Sequence, residues 1–305
     1  MSRAIAPIIG LSVILLAFPL GPGHVLLAQE QSTYVGTETC TNCHQRQVDG
    51  FKATKKGPLF LSHPETATER LGCEGCHGPG KIHAESGGEL KTGLVTFSKN
   101  DPTPVERRNA TCLQCHEGGA RTFWFGAAHE SRGVACTSCH RIMKQESDRS
   151  QLKYATVGQT CAQCHPQRQA QMQRFAHMPL REGKMDCTSC HDPHGTATEK
   201  LLVGNSVNET CFSCHTEKRG PFLWEHAPVV ESCANCHDPH GSSNSKQLVV
   251  PRPRLCQRCH DESRHPTRPY RDDPSFSRFI EGRQCSNCHF NIHGSNHPSG
   301  MTFTR

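Results

Sequence analysis

The sequence predicts a fold of short α-helices and loops, elongated and with little or no β structure. Glycine (26 residues) and proline (20 residues) are scattered along the 305-residue chain and interrupt long regular elements. No segment alternates apolar and polar residues regularly enough to indicate a sheet. Hydrophobic residues make up only 34% of the chain, and the mean hydropathy is −0.61. The side chains alone therefore supply too little apolar surface for a large core.

Every cysteine of the chain belongs to one repeated motif, C-x-x-C-H. The twenty cysteines are Cys40, Cys43, Cys73, Cys76, Cys112, Cys115, Cys136, Cys139, Cys161, Cys164, Cys187, Cys190, Cys211, Cys214, Cys233, Cys236, Cys256, Cys259, Cys285 and Cys288. The histidines that follow them are His44, His77, His116, His140, His165, His191, His215, His237, His260 and His289. This motif is the attachment site of c-type haem: the two sulfurs form thioethers, and the histidine is the proximal ligand of the iron.

The ten motifs predict a multihaem cytochrome c, in which loops and short helices wrap around a chain of ten c-type haems. Structural zinc sites and disulfide frameworks also use paired cysteines. Neither requires a histidine directly after every second cysteine. Histidine accounts for only 21 of 305 residues, so its presence at all ten positions does not follow from composition.

A second set of histidines fits the distal side of the irons. Of the eleven histidines outside the motifs, His24 falls in the predicted export signal, and ten remain: His63, His83, His129, His177, His194, His226, His240, His265, His293 and His297. Ten haems need ten distal ligands, so bis-histidine ligation is the simplest assignment. A methionine could replace one histidine and would raise the potential of that haem. The candidates are Met143, Met172, Met178 and Met185, for which packing is the role first expected.

The first 28 residues resemble a secretory signal peptide. A short positive region ends at Arg3, an apolar run follows from Ile8 to Leu20, and Ala28 offers a small residue at a cleavage point. The run is short and is broken by glycine and proline, although an uncleaved anchor stays an alternative. No cysteine precedes Cys40, so no lipid-anchor cysteine follows the signal. We therefore expect an exported, periplasmic protein.

The formal charge of +6 does not indicate a nucleic-acid partner. Each haem brings propionates, and a bis-histidine haem carries a net charge of about −1. Ten haems would make the holoprotein roughly neutral or acidic, and the arginines are expected to pair with propionates. No nucleic acid is therefore expected to bind.

The motifs are arranged in five units of two. The units begin at Cys40, Cys112, Cys161, Cys211 and Cys256, with a period of about fifty residues after the first step. Between the two motifs of each of the first four units, an aromatic residue precedes a histidine: His63, His129, His177 and His226. The spacing predicts a short helix from this histidine into the second motif. Repeats that contact mainly their neighbours predict an elongated shape. We expect two pentahaem halves, residues 29–170 and 171–305, with an approximate boundary.

A further histidine follows several second motifs in a Pro- and Gly-containing turn, as in His191-Asp-Pro-His194-Gly195. His240 and His293 occupy similar turns. Being three or four residues from a proximal ligand, such a histidine is not expected to reach the opposite face of the same haem, and we expect it to bind a neighbouring one. The second unit departs from the pattern, since Met143 stands three residues after His140, and the last unit has the additional His297.

The ten motifs, the leader and the repeated C-H-D-P-H-G segments resemble the MtrA/PioA/DmsE family of periplasmic decahaem cytochromes over the whole mature chain. The resemblance implies a single row of haems that inserts into an outer-membrane β-barrel porin. It also implies electron exchange with periplasmic or inner-membrane quinol-linked cytochromes, and with an extracellular cytochrome or reductase. By the same resemblance the ten motif histidines are proximal ligands and the ten others distal ligands, and the protein is not an enzyme.

Bis-histidine iron has no open position for a substrate, which independently favours electron transfer. Two alternatives stay open. A multihaem oxidoreductase of nitrogen or sulfur compounds would need an iron with an exchangeable ligand. A self-assembling cytochrome filament could use a histidine such as His297 on the haem of the next subunit. The direction of electron flow is not written in the sequence.

Overall fold

The computed structural model describes residues 33–98, 100, 102–260 and 284–304. The predicted leader and His265 lie outside these residues. The predicted fold of short helices and loops is confirmed: the described residues contain helices, turns and five isolated bridges, and no strand. None of the helices in these parts of the chain is both long and apolar enough to cross a membrane.

Twelve α-helices, labelled α1 to α12 in chain order, occur in the described residues: Thr37–Lys52, Gly57–Leu61, Ala67–Arg70, Glu74–His77, Lys81–Glu85, Val105–His116, Cys136–Cys139, Val157–Ala162, Pro166–Gln171, Val207–Phe212, Ala227–Glu231 and Arg254–Gln257. The 3₁₀ turns in the same residues are Gly119–Arg121, Glu130–Arg132, Cys187–Ser189, Glu199–Leu201, Thr216–Lys218, Cys233–Asn235, Ser245–Gln247, Cys285–Asn287 and Gly300–Thr302. Only α1 and α6 exceed six residues, and α1 is interrupted by non-helical backbone at His44.

Two of the helices that carry the first motif of a unit, α8 and α10, begin at side-chain caps. At α8, the Thr156 hydroxyl accepts the N–H of Gln159, and the Gln159 side chain accepts the N–H of Thr156. At α10, the Ser206 hydroxyl accepts the N–H of Glu209. Such caps stabilise a helix by about 1 kcal/mol, but helices below about 12 residues are marginal on their own in water. Their stability must come from packing around the motifs.

The second motifs of the second, third and fourth units are followed by the same loop. We call these segments the bridge loops: residues 140–152, 191–202 and 237–248, each closed by an antiparallel bridge between the motif histidine and a leucine. The residue after the histidine donates its backbone N–H to the same carbonyl position in each loop: Arg141 to Gln151 at 2.8 Å, Asp192 to Leu201 at 2.9 Å and Asp238 to Gln247 at 2.8 Å. The three loops therefore share one backbone frame, although the first is one residue longer.

A predicted short helix leads into the second motif in three of the four units where the spacing predicts one. It is α3 after His63, the 3₁₀ turn Glu130–Arg132 after His129, and α11 after His226. Turns without a helix follow His177. Three of these four histidines are thus held by short helical elements beside the motif they precede.

A buried carboxylate fastens the start of the described chain to the second motif. The Glu74 side chain, 4% exposed, accepts the backbone N–H groups of Val35, Gly36 and Gly80, the last two at 2.8 Å. Glu74 lies inside the motif Cys73–His77, so this network holds the first unit's second motif against its first.

The polypeptide core is small. The described residues bury only nine hydrophobic side chains, none of them below 2% exposure: Val48, Phe51, Val95, Trp124, Ala127, Ala135, Val157, Ala176 and Leu248. Three of the nine are alanines. So small an apolar core cannot offset the conformational entropy of some 250 ordered residues, at about 1–2 kcal/mol each, unless a cofactor supplies further apolar surface.

We predict that the chain does not fold without haem. Produced without residues 1–28 in a compartment that does not attach haem, it should show no cooperative thermal transition by circular dichroism. The exported, haem-loaded protein is the control and should melt cooperatively. A compact haem-free form with a sharp transition would contradict the prediction.

Candidate haem-binding sites

The ten motifs follow one another in space in the order of the sequence. Thiols of consecutive motifs lie near enough to interact electrostatically or by hydrogen bonding at all nine junctions: Cys40 with Cys73, Cys76 with Cys115, Cys112 with Cys136, Cys139 with Cys164, Cys161 with Cys187, Cys190 with Cys214, Cys211 with Cys233, Cys236 with Cys259, and Cys256 with Cys285. Within a unit the first cysteines of the two motifs meet, and between units the second cysteines meet. The motifs therefore form one row with regular alternation.

Thirteen of the twenty cysteines along this row are partly buried, and seven are exposed. Burial, and then the neighbouring Cys73, raise the pKa of the Cys40 thiol to about 11. Burial, and then Cys115, likewise raise the pKa of Cys76. All twenty cysteines lie within the described residues, and none forms a disulfide. Each pair of thiols is therefore available to form thioethers.

A polar side chain three residues before the first motif joins the two motifs of a unit. The backbone N–H of Cys73 donates to the Thr37 hydroxyl at 3.3 Å. In the second and fourth units, the N–H groups of Cys136 and Cys233 donate to the amide oxygens of Asn109 and Asn208 at 2.9 and 2.7 Å. We call these three contacts the intra-unit clamp. Our sequence analysis missed it, although the recurrence of asparagine three residues before Cys112 and Cys211 could have revealed it.

Seven pairs of histidine rings face each other at nearly constant separation. The centroids are 5.9–6.3 Å apart, and each pair joins one motif histidine to one histidine outside the motifs: His44 with His83, His140 with His194, His165 with His129, His191 with His240, His215 with His177, His237 with His293, and His260 with His226. The interplanar angles vary from 10° to 64°.

This separation is the one required by an iron between two imidazoles. A metal–imidazole bond is about 2 Å long and the ligating nitrogen lies about 1.1 Å from the ring centre, so two axial rings have centroids about 6.2 Å apart. Two rings on one axis can rotate about it freely, which accounts for the spread of interplanar angles. Aromatic pairs without a metal span a wider range of separations, about 4.5–7 Å. The residues therefore fit haem iron.

Six of the seven pairs follow two rules, and the seventh, His44 with His83, lies within the first unit. The histidine between the two motifs of a unit faces the first-motif histidine of the next unit: His129, His177 and His226 do so. The histidine in the turn after a second motif faces the second-motif histidine of the preceding unit: His194, His240 and His293 do so. These turn histidines face motif histidines other than their own, as the sequence leads us to expect, and each reaches back past one intervening motif. That they bind a neighbouring haem stays a prediction, in which consecutive units would exchange ligands in both directions.

Backbone carbonyls fix the tautomer of several of the candidate ligand histidines. Nδ1 lies 2.8–2.9 Å from a backbone oxygen in seven histidines: His77, His83, His129, His140, His191, His226 and His237. A carbonyl only accepts, so Nδ1 carries the proton and the Nε2 lone pair is free for a metal. The acceptors for His129 and His226 are Pro193 and Ile292, each directly before a turn histidine. One turn therefore supplies a ligand to one site and orients a ligand of another.

In two of the turns an aspartate replaces the carbonyl. Asp192 Oδ1 accepts the backbone N–H of His194 at 2.9 Å and lies 3.1 Å from its Nδ1. Asp238 is placed in the same way against His240, 3.4 Å from its Nδ1. The side chain of His177 has a buried Nδ1 that finds no hydrogen-bond partner among the described residues.

Burial keeps the turn histidines uncharged, as a metal ligand must be. Burial, and then the nearby Lys218, lower the pKa of His293 to about 4. Burial also lowers the pKa of His194 and His240, and the aspartates oppose this effect only in part. These three rings are therefore neutral at physiological pH.

Six of the predicted ligands lie outside the seven pairs. They are the motif histidines His77, His116 and His289 and the candidates His63, His265 and His297. His289 Nδ1 contacts the carbonyl of Thr302, in the manner of the other motif histidines. His297 differs, because its Nδ1 accepts the backbone N–H of Ser299 at 3.1 Å. His265 is outside the described residues. The pairing of these six stays a prediction.

Models of known protein families match two parts of the chain. Residues 177–220 and 226–265 match the doubled CXXCH motif, and residues 73–152 match the NrfB-like c-type cytochromes. Together with the motifs and the helix-and-loop fold, these matches define a multihaem c-type cytochrome.

Relatives of known identity narrow the class. The chain is 40% identical over 276 residues to multiheme cytochrome MtrA of Shewanella baltica, which covers 88% of this chain and 81% of the relative. It belongs to the MtrA family of multihaem cytochromes. It is also 28% identical over 130 residues to cytochrome c-type protein NrfB of Escherichia coli (41% of this chain, 63% of the relative). A third relative is cytochrome c-554 of Nitrosomonas europaea, 33% identical over 104 residues (31% of this chain, 41% of the relative).

We predict that Asn109→Ala loosens the junction between the third and fourth motifs. It removes the acceptor for Cys136 N–H and the donor to the Val134 carbonyl, at a cost of about 1–3 kcal/mol for groups left unsatisfied. Hydrogen exchange of the Cys136 amide in the haem-loaded protein should accelerate by at least about fivefold. Asn109→Asp keeps the acceptor and should retain most of the protection. Equal exchange in wild type and Asn109→Ala would contradict the role of the clamp.

Proposed function

We propose that this chain carries ten c-type haems, one at each motif, and conducts electrons along them from one end to the other. The observation that supports this most directly is the unbroken sequence of nine motif-to-motif junctions. Haem iron supplies one-electron redox chemistry when bound. The polypeptide's part is to hold neighbouring attachment sites side by side at every step, with no gap that would isolate one half of the row from the other.

The ligand arrangement supports a carrier and not an oxidoreductase. In seven of the sites a second imidazole occupies the position across from the motif histidine, so no coordination position is left for a substrate. Where Nδ1 contacts a carbonyl, the contact holds the ring in the ligating tautomer before and after electron transfer, which limits reorganisation. Electron transfer through such sites needs no proton from the ligands, since the neutral rings keep theirs.

We further propose that the protein works in the periplasm, inserted into an outer-membrane β-barrel porin. A membrane with its headgroups is about 40–45 Å thick. A row of ten consecutive sites has the length to cross it, whereas a single haem site does not. The surface of the chain is too polar to face hydrocarbon unaided, and a barrel would shield it. One end of the row would exchange electrons with periplasmic or inner-membrane quinol-linked cytochromes, the other with an extracellular cytochrome or reductase.

A liposome assay tests the conduit. The chain would be produced with a β-barrel encoded beside it, purified from outer membranes, and reconstituted into vesicles that enclose a redox dye. An external reductant that cannot cross the membrane should reduce the dye only when chain and barrel are both present.

The matched control interrupts the row in its middle. Cys161→Ala with Cys164→Ala removes one central attachment site and should abolish or slow dye reduction by at least a hundredfold, while co-purification with the barrel persists. Recovery of the chain without any barrel, or dye reduction that is unaffected by the central interruption, would contradict the proposal.

A further inference from the structure

Met143 occupies a position that a ligand histidine holds elsewhere in the fold. It lies three residues after His140 in the first bridge loop, as His194 and His240 lie three residues after His191 and His237. The first bridge loop has the same backbone frame as the other two: its motif histidine donates from Nδ1 to a carbonyl of the loop at 2.8 Å in all three. Met143 is therefore the structural counterpart of two residues that face a motif histidine.

The pairing rule assigns a partner to this position. The turn residue of each later unit faces the second-motif histidine of the unit before it: His194 faces His140, and His240 faces His191. For the second unit, the unit before it is the first, and its second-motif histidine is His77. His77 is already oriented as a ligand, since its Nδ1 lies 2.9 Å from the Val95 carbonyl.

The Met143 turn packs on the first unit as the later turns pack on theirs. In the later units the turn glycines Gly195 and Gly241 approach the preceding unit so closely that a side chain would collide with the carbonyls of Phe123 and Gln171. At Met143 the glycine is on the other side of the contact. A side chain added to Gly50 of α1 would lie 2.8 Å from the Met143 carbonyl. The two units therefore approach each other as closely here as in the later units. The glycine that leaves room for the contact is Gly50 of the first unit and not a glycine of the turn.

The residues around Met143 fit a sulfur ligand better than a ring. Where the turn carries histidine, the residue two positions earlier is an aspartate that orients the imidazole, Asp192 or Asp238. In the second unit that position is Arg141, which forms an ion pair with Glu146 at 2.7 Å. A thioether has no N–H group, so an aspartate at this position would have no ligand to orient.

The remaining histidines do not fill the place across from His77. The first pairing rule assigns His63, between the first unit's motifs, to His116 of the next unit. His297 lies in the last unit, at the other end of the row. Its Nδ1 accepts a hydrogen bond from Ser299, so the proton is on Nε2, the reverse of the tautomer in the rings whose Nδ1 donates to a carbonyl. The sequence has ten histidines outside the motifs for ten irons, but one of them, His297, is not available to the first unit.

We propose that the Met143 sulfur is the distal ligand of the iron whose proximal ligand is His77, which gives the row one His–Met haem at its second position. This inference rests on the proposed haem occupancy of the ten motifs. Methionine in place of histidine raises the reduction potential of a haem. An electron at the second site from the N-terminal end is then held more strongly than at its neighbours. That end of the row gains a site that fills first on reduction and empties last on oxidation.

The test is spectroscopic and uses the exported, haem-loaded chain. Near-infrared magnetic circular dichroism and the sulfur-to-iron charge-transfer band of the ferric protein distinguish His–Met from bis-histidine haem. Wild type should show one His–Met haem in ten, and one tenth of the haem absorbance should titrate at a potential above the rest. Met143→His should convert that haem to the bis-histidine form, and Met143→Leu should give one high-spin haem.

Two matched variants complete the design. His194→Met places the same side chain at the equivalent position of the next bridge loop and should create a second His–Met signal. Met178→Leu changes an exposed methionine and should leave the wild-type spectrum unchanged. A wild-type spectrum with bis-histidine haems alone, or a His–Met signal that survives Met143→Leu, would overturn the inference. Failure of the proposed function is separate, because it would appear as a haem content below ten by mass or as absent dye reduction with the His–Met signal intact.

Discussion

The arrangement depends on one constraint of coordination chemistry. A motif histidine is fixed on one face of its haem by the two adjacent thioethers, and no residue within a few positions of it can reach the other face. The second ligand must come from elsewhere. For six of the seven histidine pairs the candidate second ligand lies in the adjacent unit, and the arrangement is reciprocal: His129 faces His165 of the third unit, while His194 of the third unit faces His140 of the second. From the second unit to the fifth, each two consecutive units are therefore joined by two histidine pairs, and a slip between units would break both.

The same exchange explains how so polar a chain can hold a defined shape. Short helices such as α8 and α10 are too brief to be stable alone, and the described residues bury few large side chains. The fold is held in place by single groups that each contact two motifs or two candidate sites. The turn at Pro193–His194 presents one ligand and orients another, and Asn109 joins two motifs while it caps the second. Removal of the haems would therefore break the contacts between units and also take away the apolar surface that the polypeptide lacks.

Much of this was predictable from the sequence, for identifiable reasons. The attachment residues and proximal ligands follow from a local motif, and the helix-and-loop fold follows from composition. The set of distal candidates was predictable by counting, but the partner of each was not, because pairing depends on contacts between units about fifty residues apart. Counting also treated His297 as equal to the others, and only its hydrogen bond to Ser299 separates it. The intra-unit clamp was missed because a lone asparagine near a motif has no chemistry that singles it out. The division into two pentahaem halves stays a prediction.

The positions of the irons test the central claim most directly. Anomalous diffraction at the iron absorption edge, from crystals of the exported protein, would locate each metal independently of any assumed ligand. The account predicts ten irons in a single row, in the order of the motifs, with seven of them midway between the paired imidazoles. Fewer irons, an order that departs from the sequence, or irons displaced from the axes of the imidazole pairs would contradict it.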